Sequence, residues 1–531
     1  MDPTSEASSP LPRWEVWLFL ALALLSLLPF WSVQYLPTTD GPSHLYNAWL
    51  LRELASGAAP PALTSHFQID LRPLPNWLTH GSLALLLGAL PPLAAEKVLA
   101  SAYVLLFLGG LWALVGAVRP GSRWPAFLGF PFLYHYLFQF GFYNFSLSLG
   151  LFFLVVAVWW RNRDSPTLAL GVKLNLLLWL CWFAHILSLV LALFAIGVLW
   201  LATLRRDNLR RHLPHVALLA PQVMLPLWFL SVQGGETVHS GWTLPALASY
   251  FFRLGALATF SRWQIVAATL LVLLFLVLLL VTLRREGWRG EPFLLLAGVF
   301  LVLYFVSPEG VAGGTMLKPR LSLYPYLVAI PWFTRRLERR AIRVLVLALT
   351  VAALANVAFQ LRWYRQLSAE VARYVHGLDG VERGARLLPL TFDAKGPAGL
   401  IGIFGHAADH AARERGLIDW DDYEAASTLF PVRFRAGLHR PDIYSIEARP
   451  AAFPLASYVD AVDYVYAWGM PEGTLLEAPL AESYQLIAAD GPGRLYRRRA
   501  DARLDHLPPE PPHPRYPFEA HRAPGAPGEH R

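Results

Sequence analysis

Apolar residues in this chain run in long blocks rather than in the short alternations of a soluble fold. Val16 to Thr39 and Gln264 to Leu283 contain no charged residue, and each block can cross a hydrocarbon core of about 30 Å as a helix. The first is followed by no small-residue cleavage site, so it reads as a retained span rather than a secretion signal. Thr167 to Leu204 is too long for one helix and is basic at both ends, which predicts two spans meeting near His185. Further spans are expected at about 215–232, 292–306, 321–334 and 342–361.

Arginines punctuate these blocks: Arg205-Arg206 with Arg210-Arg211, Arg284-Arg285, and Arg335-Arg336 with Arg339-Arg340. Placing them in the cytoplasm, by the positive-inside rule, fixes the alternation. One hydrophobic segment is then surplus, and Trp77 to Leu90, bounded by prolines, is expected to be re-entrant or interfacial. The reading is a mostly α, polytopic transmembrane helical bundle of about 11 spans with interfacial helices. Residues 1–13 form a cytoplasmic amino terminus and 14–361 the transmembrane domain, with outside loops at about 35–76, 233–263 and 307–320. Within the second loop, Leu244, Leu247, Phe251 and Leu254 recur at helical spacing, as in a helix lying on the membrane.

Beyond Arg362 the chain turns polar, and 362–506 reads as a small extracytoplasmic α/β domain. Strands are expected at Ala385 to Phe392, Asp463 to Ala467, Tyr484 to Ile487 and Gly493 to Arg497, the last two joined at the turn Asp490-Gly-Pro-Gly493. Residues 507–531 form a proline-rich tail expected to be disordered.

Composition agrees: 55% of 531 residues are hydrophobic and only 15% charged, so the expected location is the plasma (inner) membrane with membrane lipid as a partner. The net charge of +8 sits largely in the short loops, which excludes nucleic acid as the reason for it. The single cysteine, Cys181, rules out an internal disulfide and a cysteine metal cage.

The polar cluster Asp40-Gly-Pro-Ser-His44 follows the first span. Ser43 is expected to cap an interfacial helix whose apolar face is Leu45, Trp49, Leu50 and Leu54. Asp40 at the membrane surface can act as a base, and His44, one turn on, can share a proton or a metal with it. The plainer reading is an Asp-Gly turn and an anchoring histidine. His406 and His410 stand at i and i+4 with Asp409 between them; no third ligand is evident, and no metal site is assigned. Asp419-Trp-Asp-Asp422 reads as a solvated loop. No role is assigned to His135-Tyr136 or Tyr143-Asn144.

The Asp40 to His44 cluster, the helix after it, Lys318-Pro-Arg-Leu-Ser-Leu-Tyr-Pro325 opening a late span, and the outside carboxyl-terminal region together resemble the GT-C-type membrane glycosyltransferases. These include protein O-mannosyltransferases and lipid A aminoarabinose transferases. The resemblance implies transfer of a sugar from a polyprenyl-phosphate donor, a lipid-linked partner, to an acceptor at the outer membrane face, with a divalent metal possible. It implies that Asp40 orients or deprotonates the acceptor. The chain departs from the family's adjacent acids in having Gly41 after Asp40, with Glu53 and Asp70 distant. Lys318 and Arg320 are placed to hold the leaving phosphate, although both also suit interfacial anchors. Glu309 can pair with either. His185 can line the cavity or serve as a hydrogen-bonded structural histidine. The rival class is a non-catalytic membrane protein, a transporter or envelope assembly factor whose outside domain binds a partner. A cavity containing Asp40 would favour the enzyme.

Overall fold

The computed structural model describes residues 12–502 except 207, 235–236, 239–240, 288–290 and 334–336. The expected disordered tail therefore lies outside the described residues. Among those described, seven helices are long and apolar enough to cross a membrane: Arg13–Trp31, Pro92–Val118, Tyr143–Asn162, Ile186–Thr203, His212–Gln233, Trp263–Arg285 and Arg339–His376. Two more, Leu168–Ala184 and Pro292–Val306, are apolar but shorter. Leu270, Leu273, Val277 and Leu280 of the Trp263–Arg285 helix are exposed. An apolar face of that extent suits lipid, not water.

The other apolar stretches lose regular length to proline. Trp124–Phe132 is a 3-10 helix containing Pro131, followed by the single turn Tyr136–Gln139. Leu317–Ala329 carries Pro325 and passes into the 3-10 turn Ile330–Trp332. Proline removes a backbone donor and crowds the preceding turn, and both stretches are buried against other helices. Trp77–Leu86 is a ten-residue helix, about 15 Å long and too short to cross.

Pro92–Val118 and Tyr143–Asn162 form the inner pair. A Cβ on Gly110 would lie 2.6 Å from the Gly150 carbonyl oxygen, and one on Gly150 would lie 2.7 Å from the Leu106 backbone. Small residues let two membrane helices approach this closely. The pairing sets the depth of Tyr143, where the second helix begins, and hence of the turn before it.

Helix Arg339–His376 continues past its apolar part and leads into a five-stranded mixed sheet. Its order is Ile418–Asp419, Arg386–Thr391, Tyr464–Trp468, Gly493–Arg498, Tyr484–Asp490; the first three strands are parallel and the rest antiparallel. Four of these strands fall where the alternation predicts them. The two-residue fifth was too short to leave a pattern.

The first loop is built into this carboxyl-terminal region. Phe67–Ile69 pairs antiparallel with Val432–Phe434. Helix Gly41–Ser56 begins at Asp40, not at Ser43 as expected, and ten of its sixteen residues are buried. It is therefore packed between the membrane helices and the later chain, instead of lying at an interface with one face in lipid.

Candidate functional site

Asp40 occupies the N-cap position of Gly41–Ser56 but makes no side-chain cap bond, the contact an aspartate there ordinarily makes. Its carboxylate turns instead to His406, whose Nε2 is 3.5 Å from Oδ1, with Tyr423 close enough to act on it electrostatically. Burial pushes Asp40 up to about 7; His406 restrains the rise, while Glu424 and Glu447 add to it. The backbone is pinned as well, because Asp40 N donates to Phe140 O at 2.9 Å. Gly141, at φ 102°, makes that approach possible: a Cβ there would lie 2.7 Å from Asp40 N, and the left-handed conformation itself favours glycine.

One turn on, His44 joins a second group. Its Nδ1 contacts Glu424 Oε1, and its Nε2 donates to Gly141 O at 2.9 Å. Glu424 Oε2 meets His80 Nε2 at 2.6 Å, and His80 Nδ1 donates to Asn76 O at 3.0 Å. All four ring nitrogens thus face acceptors. Protons filling every gap would leave the His44–Glu424–His80 group with one net positive charge, wherever the two shared protons sit. Burial alone would raise Glu424, but His80 and His44 outweigh it and hold the carboxyl down at about 2.

The glycine that follows Asp40 has a steric reason. A Cβ at Gly41 would lie 2.6 Å from both Glu96 Oε1 and Tyr143 Oη and would collide with Thr38 Oγ1. A buried carboxylate from the Pro92–Val118 helix thus fills the space beside Asp40, bonded to the Tyr143 hydroxyl at 2.8 Å. Glu96 does not line the cavity described below.

The expectation of a solvated loop at Asp419 to Asp422 is overturned: all four residues are buried. Trp420 donates to Ala461 O at 2.9 Å, Asp419 Oδ1 accepts from Asp421 N at 2.8 Å, and Asp422 Oδ1 accepts from Asn47 at 2.8 Å. Asp409 Oδ2 accepts from Ser43 Oγ at 2.5 Å, so the residue expected to cap the first-loop helix instead ties it to the carboxyl-terminal region. Burial pushes Asp419 up to about 6, Asp422 to about 7, and Asp409 and Asp421 well above the usual carboxylate range. His406 and His410 do not share a helix face. The helix starts at Ala408; His406 Nδ1 is 3.7 Å from Asp421 Oδ2, whereas His410 packs on Tyr35.

A cavity of about 480 Å³ opens over this group, lined by Asp40, His44, His185, Arg320 and His406 among others. Phe140, Phe142, Phe145, Tyr423 and Phe430 make part of its wall aromatic. Arg320 lies 4.7 Å over the Phe142 ring and donates to Thr315 O at 2.6 Å, while its Nε has no partner. One guanidinium donor is thus without a partner in a desolvated wall, a setting that suits an anion. His185 sits in the break between Leu168–Ala184 and Ile186–Thr203, where Nδ1 accepts from Leu187 N at 3.2 Å. Its proton is therefore on Nε2, and the residue both caps a helix and lines the cavity.

Two expected ligands lie elsewhere. Lys318 Nζ donates to Tyr304 O at 2.7 Å and Phe305 O at 2.9 Å, satisfying carbonyls at the end of the Pro292–Val306 helix. Glu309 is half-buried and close enough to feel both Lys318 and Arg320, but it too is off the cavity wall. Conversely, His80, Glu424 and Tyr423 carry no assignment in the sequence reading. His80 had a usable signal, being an ionisable residue inside an apolar segment.

No family model matches the chain, and no curated protein matches it.

Proposed function

We propose that this chain is a membrane glycosyltransferase that moves a sugar from a polyprenyl-phosphate donor to an acceptor hydroxyl at the outer face of the membrane. The observation that carries this reading is that Asp40 and Arg320 line one cavity. A base and a partly unpaired guanidinium lining one space suit a displacement in which one end gains a proton and the other a negative charge. The acceptor O–H gives its proton to Asp40, with His406 beside it. The freed oxygen attacks the anomeric carbon, and the bond to the phosphate oxygen breaks. The electron pair leaves with the phosphate, whose growing charge Arg320 stabilises. A single displacement of this kind inverts the anomeric centre.

In the accompanying topology the seven long helices, the two shorter apolar ones, and the irregular stretches Trp124–Gln139 and Leu317–Trp332 make about eleven crossings. The amino terminus is then cytoplasmic, and the cavity and carboxyl-terminal region face outward in the plasma membrane. A purely scaffolding protein has no use for a desolvated arginine and a buried carboxyl facing one cavity.

Comparing glycolipids and glycoproteins of a deletion strain with those of strains complemented by the wild-type or Asp40→Asn chain tests the proposal. One glycan species should vanish on deletion, return with wild type and stay absent with Asp40→Asn at equal membrane levels. An unchanged glycan profile on deletion would overturn it.

A further inference from the structure

We infer that His44, His80 and Glu424 form a binding site for one divalent transition-metal ion, zinc by preference. The three side chains come from different parts of the chain, and their ligand atoms lie within 4.8 Å of one another. All three are buried. Two imidazoles and a carboxylate are a donor set suited to zinc, which takes nitrogen and oxygen ligands and often keeps a fourth position open.

The independent observation lies on the far side of each ring. His44 Nε2 donates to Gly141 O and His80 Nδ1 to Asn76 O. A backbone carbonyl on the outer nitrogen fixes the tautomer and aims the inner lone pair, the arrangement that metal-ligating histidines nearly always show. Both carbonyls belong to residues with left-handed backbone, Gly141 at φ 102° and Asn76 at φ 71°. A second carboxylate–histidine group, His406 with Asp421 and Glu447, is also present among the described residues, but it has one imidazole where the first has two, and the outer nitrogen of that imidazole stands 3.5 Å from Asp40, beyond the close contacts that hold His44 and His80.

In the present geometry the two imidazoles close directly on the carboxylate. An ion with bonds of about 2.0–2.2 Å needs its ligands somewhat further apart, so the side chains would open slightly around it. His44 also lines the cavity, which brings the ion beside it. The inference stands on the ligand geometry alone and does not need the glycosyl-transfer reading.

The test uses the full chain purified in detergent without chelator, with elemental analysis and thermal unfolding. Wild type should carry about one zinc per chain or take it up on addition of zinc, and metal affinity should fall in Glu424→Gln and His80→Asn by more than the about 10–100-fold that loss of an outer-shell partner costs. Zinc should raise the melting temperature of stripped wild type but not of the variants. Added Co²⁺ should give wild type a visible absorption band that Glu424→Gln lacks, a readout free of any activity assay. Wild type that holds no metal, with neither a zinc-dependent melting shift nor a cobalt band, would overturn the site. So would full metal retention in both variants.

Discussion

His406 Nε2 stands 3.5 Å from Asp40 Oδ1 while its Nδ1 stands 3.7 Å from Asp421 Oδ2, so one imidazole lies between a cavity carboxyl and a buried one. Under the proposed reaction this histidine steadies the charge on Asp40. His406→Gln should lower turnover by about 10²-fold, at the low end of what a proton-handling group contributes, with little change in donor KM. Steady-state transfer in membranes measures this; unaltered turnover would remove His406 from the site.

Arg320 has the opposite task. Its replacement by Gln should cost about 10²–10³-fold in transfer, as the loss of a donor to a developing anion does. Arg320→Lys, which keeps the charge but not the fork, should recover only part of it. Rates measured against donor concentration separate the two variants, and a donor dependence identical to wild type would show that the phosphate binds elsewhere.

Gly41 should accept no side chain. Gly41→Ala puts a methyl group against Glu96, Tyr143 and Thr38, and overpacking of this kind costs about 1–3 kcal/mol. A lower melting temperature in detergent is the expected result. Gly41→Asp, which would place two acids side by side, should fare worse, because the added carboxylate enters ground held by Glu96.

Asp419 supplies a pH prediction. Its carboxyl titrates at about 6, chiefly because of burial, above the usual carboxylate value of about 3.8 to 3.9. The folded protein therefore holds a proton that the unfolded chain releases, and stability falls as pH rises from about 4 through about 6. The rise corresponds to about 3 kcal/mol. Asp409, Asp421, Asp422 and His406 surround it, so Asp419→Asn should flatten this fall without abolishing it. Melting temperatures of both proteins from pH 4.5 to pH 8 decide the matter, and parallel curves would exclude Asp419 as a contributor.

The membrane character and four of the strands were legible because each rests on a local period. Asp40, His185 and Arg320 were legible because ionisable groups stood out beside apolar runs. Lys318 gave the same signal as Arg320, yet two residues on a helix are turned by about 200°, and only Arg320 reaches the cavity. Glu424, His406 and the acids around Trp420 were illegible for a different reason. Three aspartates around one tryptophan look solvated until another helix covers them, and the covering helix, Gly41–Ser56, lies at the far end of the sequence. Ser43 and Asn47, which bond Asp409 and Asp422, face the carboxyl-terminal chain on that helix.

The turn at Gly141 has a mechanical consequence. Through Phe140 O it grips Asp40, through its own carbonyl it grips His44, and it leads directly into the glycine-packed helix Tyr143–Asn162. The cavity's acid and its neighbouring imidazole are therefore indexed to the membrane bundle, whereas Tyr423, His406 and Glu424 ride on the later chain. A shift of that later chain against the bundle would part the two halves of the site without unfolding either, making alignment across this seam the quantity on which the proposed transfer depends.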